Sequence, residues 1–450
     1  MHFKNRLTKY IYPYRISLSA AFVFIFSGLV RAQDTLTFKS CVQIGLEQNY
    51  SLQIIRNEEA IATTNYNMGL ANFLPDLNAN ARQSYSIVNS RQVFFSNPSQ
   101  PQERNNAKSN SLSTAVNLDW TVFDGFRMFV GYNKLNKLLE MGELTTRMNV
   151  ENLIAQIGAD YFDFLQQKKR LETLKYVMSL SKERMNVALE RYRIGNLSKL
   201  EYQQAKVDFY ADSSQYLKQQ ENVQSSRIRL NETLAFDISH SLDISDTINV
   251  DYNLTFDELY KETLQNNTSL LIASKNQEVS ELDLKLINGE RYPTLSLNGG
   301  YTFNKSQAQA GYLSERRESG WNYGATVSVN IFNGMDLNRQ AKNAKVEIKN
   351  AELRYKEVEQ SVTADLSQIY NTYQNGLKLV DLEKSNLKTA RENFIIAMER
   401  FRLGTFSGLE MRDVQRVYLD AEERLLVAQY QAKVAEISLK QISGKISEYL

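Results

Sequence analysis

The chain carries one plan written twice, and that duplication constrains its fold more than any other feature. "RYRIGNLSKLE" begins at Arg191 and "RFRLGTFSGLE" at Arg400, with Arg, Gly, Ser, Leu and Glu recurring in register 209 positions apart. "VFDG" (Val122–Gly125) and "IFNG" (Ile331–Gly334) keep the same spacing. Earlier in each copy the offset is 218, where Asn49, Leu52, Pro75, Leu77 and Asn80 match Asn267, Leu270, Pro293, Leu295 and Asn298. The offset changes across a polar stretch, "VNSRQVFFSNPSQPQERNNAKSNS", whose counterpart "NKSQAQAGYLSERRESG" is shorter. Loops absorb insertions and packed elements do not. The stretch therefore reads as a loop, and the duplication as one of whole structural units: 33–235 and 254–450, joined by a segment over 236–253.

Each unit has the same internal order. A helical stretch comes first, and Pro75 or Pro293 ends it and opens a run of alternating character. The spacing predicts strands over about 75–86 and 112–123, and over about 294–303 and 321–332. In the second of these, Leu112, Thr114, Val116, Leu118, Trp120 and Val122 share one face. In the last, Trp321, Tyr323, Ala325, Val327, Val329 and Ile331 do so. Runs of this length cross a bilayer when tilted, which takes about 9–11 residues.

A long helix hairpin follows in each unit, over 125–235 and 334–446. Val150, Ile157, Phe164, Leu171, Met178, Met185 and Tyr192 stand seven apart, as do Leu366, Tyr373, Val380, Leu387, Phe394 and Phe401. A sustained seven-residue spacing predicts a left-handed coiled coil. From Gly125 to Gly195 a helix would run ~105 Å at about 1.5 Å per residue. Gly195 and Gly404 suit a helix end in the left-handed conformation. Ser198 and Ser407 then cap the return helices, with Glu201 and Glu410 three residues on as capping-box partners. The repeated stretches are thus hairpin tips, far from the strands.

The amino terminus reads as a secretory signal over 1–32. Lys4, Arg6, Lys9 and Arg15 precede the charge-free "ISLSAAFVFIFSGLV", and Val30-Arg31-Ala32 follows as a small-x-small cleavage pattern. The 15-residue apolar run is shorter than the roughly 20 residues of a membrane span. Removing these four cations and Arg31 takes the formal charge from +2 to −3, and no basic stripe suggests nucleic acid. Cys41 is the only cysteine, so no intrachain disulfide forms, and "TFKSC" lacks the neighbours of a lipidation site. Loss of His2 would leave His240 alone, which excludes zinc sites and His-based triads by inventory. No metal, cofactor or catalytic residue is expected.

Four membrane-length strands pose a physical problem. Backbone groups in lipid must be paired, so a membrane sheet must close. Four strands cannot close alone, since the smallest barrels have about eight. The chain must oligomerise through its sheet, and three copies supply twelve strands. A signal peptide with a barrel places the chain in a bacterial outer membrane, with the helices in the periplasm.

The duplication, "YFDFL" (Tyr161–Leu165), "VFDG" and "IFNG" at the strand exits, and the glycine-bearing tips together resemble the TolC family of outer-membrane efflux and secretion channels. The resemblance covers Gln33 to Leu450. It implies a mainly α fold with a membrane β-barrel: a homotrimer whose twelve-stranded barrel continues as a twelve-helix coiled-coil tunnel in the periplasm. Thr35–Asn49 and Phe236–Asn267 resemble the belt around that tunnel. The implied partners are a periplasmic adaptor protein, an inner-membrane pump or transporter, and outer-membrane lipid. By the same resemblance, Ile194, Gly195, Asn196, Leu403, Gly404 and Thr405 lie where adaptor hairpins dock. Glu410 and Asp413 match acidic positions lining the periplasmic constriction, and three-fold symmetry would gather six carboxylates there. The family also has a tyrosine and an arginine that hold the pore shut. Here Phe401 and Phe406 stand instead, so the expected gate is an aromatic and acidic ring of Phe401, Phe406, Glu201, Glu410 and Asp413.

Plainer readings stand beside these. Glu201 and Glu410 are also capping residues, Phe401 also belongs to the heptad stripe, and Trp120 and Trp321 either anchor at the membrane interface or face lipid. Asp413 has Gln204 as its first-copy counterpart, an asymmetry that suits a pore role. The rival class is a non-conducting outer-membrane stalk or adhesin. It would explain the heptads but not four matched strands.

Overall fold

The computed structural model describes residues 36–95, 97–244 and 246–449. The signal over 1–32 lies outside the described residues. Twelve principal elements follow in order: α1 (Phe38–Gln48), α2 (Tyr50–Asn65), β1 (Asp76–Phe94), β2 (Asn97–Phe123), α3 (Arg127–Arg193), α4 (Lys199–Thr233), α5 (Phe256–Asn266), α6 (Thr268–Gly289), β3 (Thr294–Ala308), β4 (Glu315–Ser328), α7 (Asp336–Arg402) and α8 (Gly408–Ile442). A short 3-10 turn over Ile446–Tyr449 ends the described chain. α3 and α7 have 67 residues each, and α4 and α8 have 35 each. At about 1.5 Å per residue the long helices run ~100 Å and the return helices about half that.

The four strands form one antiparallel sheet in chain order. One face is a continuous apolar row: Leu77 pairs Leu118, then Gly299 and Tyr323, while Ala79 pairs Val116, then Tyr301 and Trp321. The other face is polar and rich in asparagine, as in Asn78, Asn117, Gly300 and Asn322. The sheet is open, with β1 and β4 at its edges.

The strand bounds correct the sequence reading. The stretch after Ser86 is not a loop: β1 and β2 run on as a two-stranded ribbon, with Ile87 opposite Lys108 and Arg91 opposite Glu103, to a turn at Phe95. β1 has 19 residues and β2 has 27. Beyond the rungs shared with β3 the ribbon extends about eight residues, or roughly 26 Å at 3.3 Å each. Pro98 and Pro101 pointed away from a strand. They fall in the irregular register between the Gln92–Gln102 and Phe94–Asn97 rungs, on a two-stranded ribbon where one side needs no ladder donor. β4 stops at Ser328, so Val329 and Ile331 lie beyond it rather than on it.

The strand-to-helix turns are alike in both copies. Gly125 and Phe126 both have positive φ (73° and 66°), as do Gly334 and Met335 (66° and 64°). A side chain on Gly125 would place its Cβ 2.2 Å from the Gly289 carbonyl oxygen, so the end of α6 seats directly on this turn. The same position on Gly334 meets open space. The matched asparagines also act alike. Asn49 caps α2 by accepting from Leu52 N (3.0 Å) and donates to Thr233 O at the end of α4 (3.0 Å). Asn267 caps α6 and donates to Ile442 O at the end of α8 (2.9 Å). Each asparagine therefore ties a return helix to the short helices of its own repeat.

The main core sits at mid-height. Cys41 and Val42 of α1, Ile157, Tyr161 and Leu165 of α3, Leu230 of α4 and Ile244 pack together. Tyr161 donates to Asp246 and to Leu36 O, so the segments flanking the repeats are strapped onto the long helix. Burial pushes the Cys41 thiol up to about 12. In α7 the seven-residue spacing marks the buried face: Leu366, Tyr373, Val380, Phe394 and Phe401 are all buried. In α3 it does so only through Phe164. Lower down, the buried residues are Leu174, Val177, Leu180, Ser181, Arg184 and Ala188, and Tyr192 is exposed. The face has rotated to bury two polar side chains.

Candidate functional site: the paired hairpin tips

Each tip is built by the same local chemistry. α3 ends as Gly195 enters the left-handed region (φ 78°), with Gly195 N donating to Tyr192 O (3.0 Å) and Asn196 N to Arg191 O (2.8 Å). In the second tip Gly404 has φ 80°, Gly404 N donates to Phe401 O and Thr405 N to Arg400 O, both at 3.0 Å. These bonds satisfy carbonyls a helix end leaves open. The return helices start at Ser198 and Ser407 with full capping boxes: Glu201 and Glu410 accept from the serine N–H and hydroxyl at 2.7–3.0 Å. Those bonds from Ser198 and Ser407 hold both carboxyls below their ordinary range.

The expected site residues take distinct places. Ile194, Leu403, Leu200 and Leu409 are all more than two-thirds exposed, an apolar rim around both tips, with Asn196 and Thr405 exposed between them. Phe401 is only 9% exposed and packs against Leu180, Phe394, Ala397, Met398 and Met411. Phe406 is half-buried against the same cluster, beneath the Arg400 guanidinium (5.4 Å to the ring centroid). Asp413 is exposed and pairs with Arg416 (2.7 Å). Phe401 and Phe406 thus come together, while Glu201, Glu410 and Asp413 stay separately engaged by their own helices.

The two tips grip one another. Arg191 of the first lies over the Phe401 ring (5.8 Å) and donates to Phe401 O and Arg402 O at the carboxyl end of α7 (3.4 Å each). A cation at a helix carboxyl end is favourably placed. Arg402 in turn reaches Glu183 (3.4 Å).

Higher in the same seam lies a cluster that sequence reasoning missed. Asp212 of α4, only 2% exposed, accepts from Arg412 Nη1 (2.6 Å) and Gln415 Nε2 (3.1 Å) of α8. Arg184 of α3 is buried beside them, and burial pushes its guanidinium below its ordinary value against the opposing pull of Asp208 and Asp212. A signal was present in the duplication. At the 209 offset Asp212 matches Ala421, Arg412 matches Gln203, Gln415 matches Lys206 and Arg184 matches Asn393. These are charges that one copy has and the other lacks. No group of metal-ligating side chains occurs among the described residues.

This fold, an open four-stranded sheet with one apolar face set on two ~100 Å helices, is shared with solved outer-membrane channels. The chain superposes on the CmeC outer membrane channel of Campylobacter jejuni with a TM-score of 0.76 at 15% identity, covering 91% of this chain and 86% of that one. It superposes on the open state of the Neisseria gonorrhoeae MtrE outer membrane channel with a TM-score of 0.72 at 17% identity, covering 91% and 89%. A curated relative, outer membrane protein TolC of Vibrio cholerae serotype O1, is 21% identical over 379 residues, 83% of each chain. The outer membrane efflux protein family model matches residues 42–235 and 259–445, once per repeat. The chain belongs to that family, the TolC family of outer-membrane efflux channels.

Proposed function

We propose that three copies assemble into one channel, and that it passes substrates from a periplasmic adaptor and an inner-membrane pump to the exterior. The twelve strands close a barrel, and the helices continue it as a coiled-coil tunnel through the periplasm. The observation that carries this reading is a seam present once within the chain and half-present at its edges. Inside the chain α3 packs on α6, with ion pairs from Lys134 to Asp283, Lys137 to Glu278 and Lys275 to Glu140. By the repeat offsets, the matching seam would join α7 to the α2 of another copy. Ile272 and Val279 of α6 and Leu144 of α3 are half-buried. Their counterparts Ile54 and Ile61 of α2 and Leu353 of α7 are 58%, 60% and 63% exposed. Faces that one seam covers are left bare at the other, as expected if a second copy covers them. The polar face of the sheet supports a water-filled lumen, and the apolar face suits lipid.

In this reading adaptor hairpins dock on the apolar tip rim at Ile194, Gly195, Asn196, Leu403, Gly404 and Thr405. The second tip carries the gate, with Phe406, Glu410 and Asp413 at the mouth and Glu201 from the first tip. Phe401 acts from within the packing. The test joins assembly to conduction. Asn65 and Asn343 are the counterparts of Asp283 and Lys134, so the double variant Asn65→Cys/Asn343→Cys should crosslink into covalent dimers and trimers on oxidation. The reconstituted protein should conduct in planar bilayers. Crosslinks that never exceed a monomer would overturn the trimer, and a silent bilayer would favour a stalk.

A further inference from the structure

The apolar face of the sheet ends in cations on the side away from the helices. Along β3 this face carries Leu295, Leu297, Gly299, Tyr301 and Phe303, about 26 Å of strand. Tyr301 and Trp321 pair across β3 and β4, with ring centroids 5.1 Å apart. Phe303 lies one rung further out on the same face, and on the rung after it Lys305 stands directly opposite Arg317. Like charges so placed weaken a sheet. The other hairpin repeats the arrangement. Tyr85 matches Phe303, and one rung beyond it Lys108, the counterpart of Arg317, stands opposite Ile87. The carboxylates at this end pair with arginines: Glu315 with Arg317 (3.4 Å) and Glu103 with Arg91 (3.1 Å) on this face, and Glu318 with Arg316 on the polar face. Glu315 lies in the field of Lys305 as well, so one carboxylate stands against Lys108, Lys305 and Arg317. In the assembled barrel the residue facing Arg317 from the next copy would be Arg91, the counterpart of the Gln309 that bonds Lys108, and it brings Glu103 with it. Resting on the reading that the apolar face meets lipid, we propose that this rim binds the phosphate of an anionic lipid headgroup in the outer leaflet. The phosphate bridges Lys305 and Arg317 and relieves their repulsion, while the acyl chains lie along Phe303, Tyr301 and Trp321. Lys108 offers a second, weaker place on the first hairpin, where Ile87 replaces the second cation.

The probe is dioleoylphosphatidic acid. The chain has two tryptophans, so Trp321 reports alone in a Trp120→Phe background. The assembled protein is reconstituted in vesicles of brominated phosphatidylcholine, whose bromines quench a lipid-facing tryptophan. Unbrominated phosphatidic acid should relieve that quenching more than the same mole fraction of unbrominated phosphatidylcholine, with a relative affinity of about fivefold for each cation engaged. In Lys108→Gln/Lys305→Gln/Arg317→Gln the two lipids should compete equally. Arg82→Gln/Arg104→Gln/Arg316→Gln removes the same charge from the polar face and should keep the preference. Equal competition in the unmodified lipid-facing rim, or an equal loss in both triple variants, would overturn the site. So would a preference abolished by inorganic phosphate at constant ionic strength, since the rim would then take the free ion. Absence of any quenching by brominated phosphatidylcholine would overturn the lipid-facing reading beneath it, a result distinct from quenching without preference. Should the first triple variant fail to assemble, Lys305→Gln alone must lower the preference, and an unchanged value there would refute the site.

Discussion

Asp212→Ala is the sharpest test of the seam between the tips. The substitution removes a charge-assisted bond from Arg412 and a second bond from Gln415. A hydrogen bond to a charged group contributes about 1.5–3 kcal/mol and a neutral one about 1. Stranding the other member of a buried pair costs about 3–5 kcal/mol in full burial. The Arg412 side chain is 27% exposed and water recovers part of that loss. The expected cost is therefore roughly 3 kcal/mol, which corresponds to about a hundredfold in the balance between joined and parted hairpins. The unfolding midpoint of the variant should fall. Replacing both partners gives the control, because an apolar pair of similar volume is often no less stable than a buried ion pair. Asp212→Ala/Arg412→Met should regain most of the lost midpoint. The second repeat already carries Ala421 at the matching place, fully buried. A single variant with unchanged midpoint, or a double variant no better than the single, would refute the reasoning.

Gly125→Ala should lower the unfolding midpoint well beyond Gly334→Ala within one chain. Both residues have positive φ, but only at Gly125 does the new Cβ collide with backbone, 2.2 Å from Gly289 O. Cys41 should resist a thiol reagent at pH 8 in the folded protein and react at once in denaturant, since its thiol is raised to about 12. Glu201 and Glu410 have folded pKa values below their unfolded ones, so their capping stabilises the tips above the ordinary carboxylate pKa of about 4.3. That stability is lost as pH falls through the lowered values. The protection factor against hydrogen exchange at Met411 should fall on acidification, and Glu410→Gln should remove that fall.

The sequence disclosed whatever follows a period. The duplication placed both hairpin tips, and the capping boxes at Ser198 and Ser407 follow from composition at fixed spacing. The ribbon of β1 and β2 did not show, because alternation fades beyond the membrane band, where neither face meets a core or lipid. Pro98 and Pro101 then argue the wrong way, since a two-stranded ribbon tolerates them. The rotated face of α3 was hidden for a different reason. Leu171, Met178 and Met185 extend the apolar spacing, whereas the residues that become buried include Ser181, whose hydroxyl donates to Met178 O, and Arg184, which lies in the field of Asp208 and Asp212 of α4. Polar burial is decided by partners, and partners distant in sequence leave no periodic trace.

The position of that cluster bears on how a three-copy channel would open. In the proposed trimer six hairpins in a ring would meet at two kinds of seam, which the duplication makes similar in backbone but not in chemistry. Within a chain, Asp212 locks α4 to Arg412 and Gln415 of α8. Between chains of the proposed trimer, the repeat offsets would place Ala421 of one copy opposite Gln203 and Lys206 of the next, with no acidic side chain to pair. The energy needed to separate the two seams therefore differs by about the worth of one partly buried ion pair. In the proposed trimer a motion that parts the tips would take the weaker seam first, so the hairpins of one chain would move as a unit and the mouth would widen at three places, not six. A disulfide between Ala421→Cys and Gln203→Cys of adjacent copies should hold the channel at its closed conductance. One across the intrachain seam, at Asp212→Cys and Arg412→Cys, should leave opening intact. The reverse outcome would put the hinge inside the chain and remove the role assigned to the buried cluster.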